Sequence, residues 1–107
     1  MSQFRGGMSE LMRQASRMQR KIDQRKQELR AELVEAGVGN DQVKVVANGA
    51  LEIVKVTIAP DLLKAESLDM AQDLIVAGVN AALKKAQEMV DAEVEKVTKG
   101  IKVPGIL

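Results

Sequence analysis

Two β-branched runs stand in the middle of this chain, Val43-Lys44-Val45-Val46 and Ile53-Val54-Lys55-Val56-Thr57-Ile58, with Asn48-Gly49 between them. Asn-Gly is the dipeptide best suited to a two-residue type I′ turn, whose twist matches that of paired strands. The pattern therefore predicts an antiparallel hairpin. The turn-rich stretch Gly37, Gly39, Asn40, Asp41 lies just ahead of it, so a third strand is expected within residues 31–37. Pro60-Asp61 closes the sheet.

On either side of the hairpin the apolar period changes from two to that of a helix. In the first stretch Leu11, Ala15, Met18, Ile22 and Leu29 form a heptad-like seam, interrupted where Arg25 falls. Ser9 is the expected cap, Glu10 places an acid in the first turn, and the helix is expected to end near Arg30. A second helix is expected from Leu68 to Lys99, capped by Ser67 and closed by Gly100. Its apolar positions include Leu74, Ile75, Gly78, Val79, Ala82, Ala86, Met89, Val90 and Val97. The small residues Ala77, Gly78, Ala81 and Ala82 allow another backbone to approach closely, and the apolar tail 101–107 is expected to fold back or fray.

The fold class is thus α+β: a long helix, a small antiparallel three-stranded sheet and a second long helix, in one domain over residues 1–107. Helices of about 22 and 30 residues run about 33 and 45 Å. Strands of six to eight residues span only about 20–27 Å. Both helices must overhang the sheet, leaving apolar stripes that a two-fold partner would cover, so a homodimer with projecting helices is expected.

Composition narrows the function. The chain has no His and no Cys, which removes imidazole bases, thiol nucleophiles, disulfides and the usual zinc ligands. Phe4 is the one aromatic, so stacking platforms for single-stranded nucleic acid are missing. The six Met residues, Met8, Met12 and Met18 among them, read as packing. Asp91, Glu93 and Glu95 read as a solvated face rather than a metal site, because 93 points away from 91 and 95. Gly6-Gly7 lacks the strand before it and the Lys-Ser/Thr after it that a phosphate-binding loop needs. No enzyme, catalytic residue, metal, cofactor or small-molecule substrate is expected. No apolar run approaches the roughly 20 residues that span a bilayer, and the N-terminus lacks the pattern of a signal peptide, so a cytoplasmic protein without a membrane partner is expected.

Charge supplies the positive clue. Net charge is only +1, but residues 1–30 hold eight basic side chains against three acids, and all six arginines lie there. Arg13, Arg17, Arg20 and Gln24 cluster on the face opposite the apolar seam, with no acid between Glu10 and Asp23. Cations spaced a helical turn apart gain affinity for duplex DNA by releasing its counterions, and arginine forks hydrogen-bond phosphate. The candidate DNA-binding residues are Arg5, Arg13, Arg17, Arg20 and Lys21, with Lys84 and Lys85 from the second helix. The ordinary alternative is a solvated charged face. Lys99 and Lys102 complement a helix dipole, and Arg25 is a candidate for setting register or oligomeric state.

The landmarks together resemble a known family. Gly6-Gly7-Met8, Leu11-Met12-Arg13-Gln14-Ala15 and Met18-Gln19 resemble the start of YbaB/EbfC nucleoid-associated proteins. Val43-Lys44-Val45 with Asn48-Gly49, then Ile58, Pro60, Leu62 and Leu63, resemble that family's hairpin and strand exit. Ala77, Val79-Asn80, Ala82, and Gly100 through Pro104-Gly105 resemble its second helix and terminal motif. Two features depart from it: the loop Gly37–Asp41 has fewer glycines, and Asn80-Ala81 stands where members often have Asn-Asp. The resemblance implies a cytoplasmic, nucleoid-associated homodimer that binds duplex DNA with helices projecting like tweezers. Because phosphate contacts read no bases and the sequence shows no recognised base-reading motif, low sequence specificity is expected. The competing reading is a helical clamp like a prefoldin subunit, gripping protein rather than DNA; structured RNA is a third candidate ligand.

Overall fold

A computed structural model of the chain describes the backbone of residues 2–99 and the side chains of residues 7–99. Helix α1 runs Ser2–Leu29, followed by strands β1 (Leu33–Val38), β2 (Val43–Asn48) and β3 (Ile53–Ile58). Two short 3-10 turns, Pro60–Leu63 and Ala65–Ser67, lead into helix α2, Leu68–Thr98. The strands form one antiparallel sheet in the order β1-β2-β3. This is the helix, three-stranded sheet, helix arrangement expected of the sequence. The molecule is a rod, 76 × 21 × 16 Å.

The start of α1 differs from expectation. The helix passes through Gly6-Gly7 to Ser2, so Ser9 is an interior residue and not a cap. Once nucleated, a helix gains a hydrogen bond with each added residue, and a glycine at about 1 kcal/mol does not stop it. The other boundaries fall where expected, although the Ser67 side chain makes no capping bond. Helix α2 ends instead with Lys99 in the left-handed region (φ 53°), its N–H donating to the Glu95 and Lys96 carbonyls. Gly100 and the tail 101–107 lie outside the described residues.

The hairpin is present but its turn is not the two-residue type I′. Strand β2 ends at Asn48 and β3 begins at Ile53, leaving a four-residue loop in which Leu51, not Gly49, takes positive φ (61°). Asn48 organises it: its Oδ1 accepts from the N–H groups of Ala50 (2.9 Å) and Glu52 (3.1 Å), an Asx-type turn. The reason for glycine at 49 is close approach. A Cβ there would overlap the Leu29 carbonyl oxygen and lie 2.6 Å from its carbon, so the hairpin docks directly on the end of α1.

Two small cores result. In the first, Val43, Val45 and Ala47 of β2 and Ala36 of β1 pack under Ala71, Ala82 and Ala86 of α2. Gly78 brings α2 down onto the sheet, since a Cβ there would lie 2.8 Å from Cγ2 of Val45. The small-residue stripe therefore serves the protein's own sheet at Gly78 and Ala82, whereas Ala77 is exposed. In the second core, Ile22 and Leu29 of α1 pack with Val90 and Val94 of α2, flanked by Met18, Met89 and Val97. The helices are antiparallel there, and α1 leaves the body from this contact.

Candidate nucleic-acid interface

The apolar seam of α1 is used over only half its length. Ile22 and Leu29 are each 1% exposed and Met18 is half-buried, whereas Leu11 is 62% exposed and Ala15 is exposed. The cause is the length of α2. Its last apolar residue, Val97, lies against Gln14, Arg17, Met18 and Lys21, so the helix N-terminal to Gln14 has no described partner. At 1.5 Å per residue, Ser2 to Gln14 makes an arm about 18 Å long.

The arginine ridge lies along this arm and its root. Arg13, Arg17, Arg20 and Lys21 are all exposed, and Arg13 to Arg20 spans about 10 Å of helix axis. Arg13 pairs with Glu10 one turn earlier at 3.3 Å, an exposed contact of little energetic weight. Among the described residues no ion pair holds Arg17, Arg20 or Lys21. Arg5 lies in the first turns of α1, and its side chain is outside the described residues.

The two lysines of α2 are not brought to the ridge. Lys84 is exposed, but it lies thirteen residues before Val97, about 20 Å along the axis from the arm's root. The Lys85 Nζ donates to the Glu35 carbonyl of β1 at 2.8 Å, so this side chain reaches across to the sheet. Lys26 and Arg30 form a second cationic pair at the base of α1. They line an open groove of about 550 Å³ that also holds Asp23 and Glu52.

Glu93, expected on a solvated face with Asp91 and Glu95, is instead turned into the contact between the two helices. Its Oε1 accepts from Arg25 Nη2 across the two helices and its Oε2 from Lys96 Nζ at 2.6 Å. Arg25 Nη1 also reaches Glu28 at 3.1 Å. Lys96 and Arg25, by hydrogen bonding to the charged form, hold the Glu93 carboxyl below the usual carboxylate range. The bonds to Glu93 and Glu28 raise Arg25 further above its ordinary value. The signal was present in the sequence: a cation interrupts the seam at 25, and Glu93 points away from Asp91 and Glu95. Asp91 is exposed and accepts from Gln87 at 2.8 Å. Among the described residues no cluster of acids forms a metal site.

Comparison with known proteins places this geometry in a family. A profile of the YbaB/EbfC DNA-binding family matches residues 5–101. The chain belongs to that family. It is 45% identical over 101 residues to a nucleoid-associated protein of Pelotomaculum thermopropionicum, covering 94% of this chain and 96% of that one. It is 43% identical over 104 residues to a nucleoid-associated protein of Acetivibrio thermocellus, covering 96% and 92%. The fold is similar to the crystal structure of uncharacterized protein HP0035 from Helicobacter pylori, with a TM-score of 0.63 at 22% identity, over 72% of this chain and 89% of that one. No described helix is long and apolar enough to cross a membrane.

Proposed function

We propose that this chain is a cytoplasmic nucleoid-associated protein that binds duplex DNA, with low sequence specificity, through the basic arms of a homodimer. The observation that carries the reading is the ridge at the root of the arm: Arg17, Arg20 and Lys21 are exposed and, among the described residues, held by no ion pair. Phosphate contacts of this kind position a protein on DNA without reading its bases. The chain acts by binding and not by catalysis; with no His or Cys, it offers no imidazole base and no thiol nucleophile. Arg13, Arg17, Arg20 and Lys21 make the principal contacts, Arg5 extends them toward the arm's tip, and Lys84 and Lys85 are secondary.

The dimer has support in the body. Helix α2 packs mainly on β1 and β2 and much less on β3. Ile53 and Val56 of β3, paired to the buried Ala47 and Val45, remain 37% and 39% exposed. At 100° per residue, Val76, Val79 and Leu83 lie on the flank of α2 away from Lys85, and so toward β3. Together they make an apolar strip suited to a second copy, with the arms of both copies left free.

A mobility-shift titration tests the reading, using several unrelated duplexes of equal length. Wild type is expected to bind them with similar affinity, and an Arg13/Arg17/Arg20→Ala variant far more weakly. Equal binding by both proteins refutes the ridge. The exposed Met8, Leu11 and Met12 on the arm favour the helical-clamp alternative. Suppression of a client protein's aggregation without DNA binding would select it.

A further inference from the structure

We infer that the Arg25–Glu93 contact is a positioning clip that sets the direction of the arm, and with it the placement of the arginine ridge. The purpose rests on the DNA-binding reading above; the mechanical role does not. Only the second, small core holds α1 to α2: four buried residues, with Met18, Met89 and Val97 at its margin. Apolar contacts of this kind are non-directional and let one helix roll or slide on the other. Arg25 interrupts the seam in the middle of that core, between Ile22 and Leu29, where an apolar residue would continue it. Its guanidinium fork spans two acids at once, Glu28 on its own helix and Glu93 on α2. Glu93 is likewise held twice, by Arg25 and by Lys96. Among the described residues Arg25–Glu93 is the one side-chain hydrogen bond or ion pair between α1 and α2. A planar fork bonded on both sides fixes rotation about the helix axis as well as height along it. The ridge begins at Arg20, five residues before Arg25 on the same continuous helix, so a small rotation at the clip swings Arg20, Arg17 and Arg13 together relative to the body.

Glu93→Gln separates positioning from charge because the two predict opposite signs. It removes one negative charge per protomer, leaving Lys96 uncompensated and Arg25 with Glu28 alone, so a protein governed by charge alone would bind DNA more tightly. A clip predicts weaker binding, about threefold to tenfold at constant salt, in the lower part of the range of coupling between contacting residues. Arg25→Gln and the double variant complete the cycle, since losing the second partner of a broken clip adds little. The arm is read directly by spin labels at Ser9→Cys and Glu88→Cys, both exposed sites in a chain without native cysteine, diluted with unlabelled protein. A narrow distance distribution in wild type that broadens in Glu93→Gln, together with weaker DNA binding, is expected. Tighter or unchanged DNA binding, or a distribution that stays narrow, overturns the clip as the device that places the ridge. If wild type binds no DNA while the distribution broadens, the clip stands and the DNA reading fails.

Discussion

Replacing Gly49 with Ala adds one methyl group where, among the described glycines, another stretch of backbone comes closest. The new Cβ would overlap the Leu29 carbonyl oxygen, lie 2.6 Å from its carbon and 3.0 Å from the Leu29 Cβ. Leu29 cannot step aside, because it is 1% exposed at the centre of the core that roots the arm. The hairpin must move instead, and the Gly49 N–H bond to the Glu32 carbonyl, 3.1 Å, lengthens with it. Overpacking of this kind costs about 1–3 kcal/mol, and the hydrogen bond about 1 kcal/mol. The lower entropy of an unfolded alanine returns roughly 0.4–1 kcal/mol. The net loss is about 2 kcal/mol, a fall in Tm of about 10 °C for a domain of this size. Thermal unfolding followed by circular dichroism at fixed protein concentration measures it. Gly7→Ala is the internal control: a Cβ there meets nothing within 4 Å, so helix propensity makes that change neutral or favourable by up to about 1 kcal/mol. If the two variants melt together, close approach is not why residue 49 is glycine.

Other outcomes follow from the same geometry. Val56→Glu places a charge on the exposed inner face of β3 and should convert the proposed dimer to monomer in sedimentation, with helix content retained; an unchanged mass excludes that surface. Because the folded Glu93 carboxyl is held below its ordinary range, its stabilising effect is full above the unfolded value of about 4.3 and disappears as pH falls through the folded one. Urea midpoints measured from pH 6 down to pH 3 should therefore fall less steeply in Glu93→Gln than in wild type; parallel curves would contradict this. Lys85→Ala frees the Glu35 carbonyl at the outer edge of β1 and should weaken DNA binding far less than Arg17→Ala, as read by anisotropy.

Much of this fold was legible because its signals are periodic. The change from helical to alternating spacing located the sheet, and Pro60 and Ser67 bracketed its exit. The misreadings came from residues whose reason lies in tertiary contact. Gly49 looked like a positive-φ turn residue and is a docking surface for Leu29. Ser9 looked like a cap, but the helix continues through Gly6-Gly7. In the site, the ridge was visible as a face of one helix. Lys84 and Lys85 were grouped with it by charge alone, and helix length separates them from it. Glu93 was read as part of a solvated face because its partner is 68 positions away in the chain, which helical spacing on either element alone does not reveal.

The central claim, that the arm grips duplex DNA through its arginines, is tested most directly by the salt dependence of binding. Anisotropy titrations of one labelled duplex at several salt concentrations give the slope of log K against log salt for wild type and for Arg13/Arg17/Arg20→Ala. Each lost phosphate contact should flatten the slope by about 0.9. Three arginines thus predict a flattening of about 2.7 if one arm engages, and about twice that if both do. Slopes that coincide would mean that these arginines touch no phosphate, and the DNA interface would have to be sought elsewhere on the molecule.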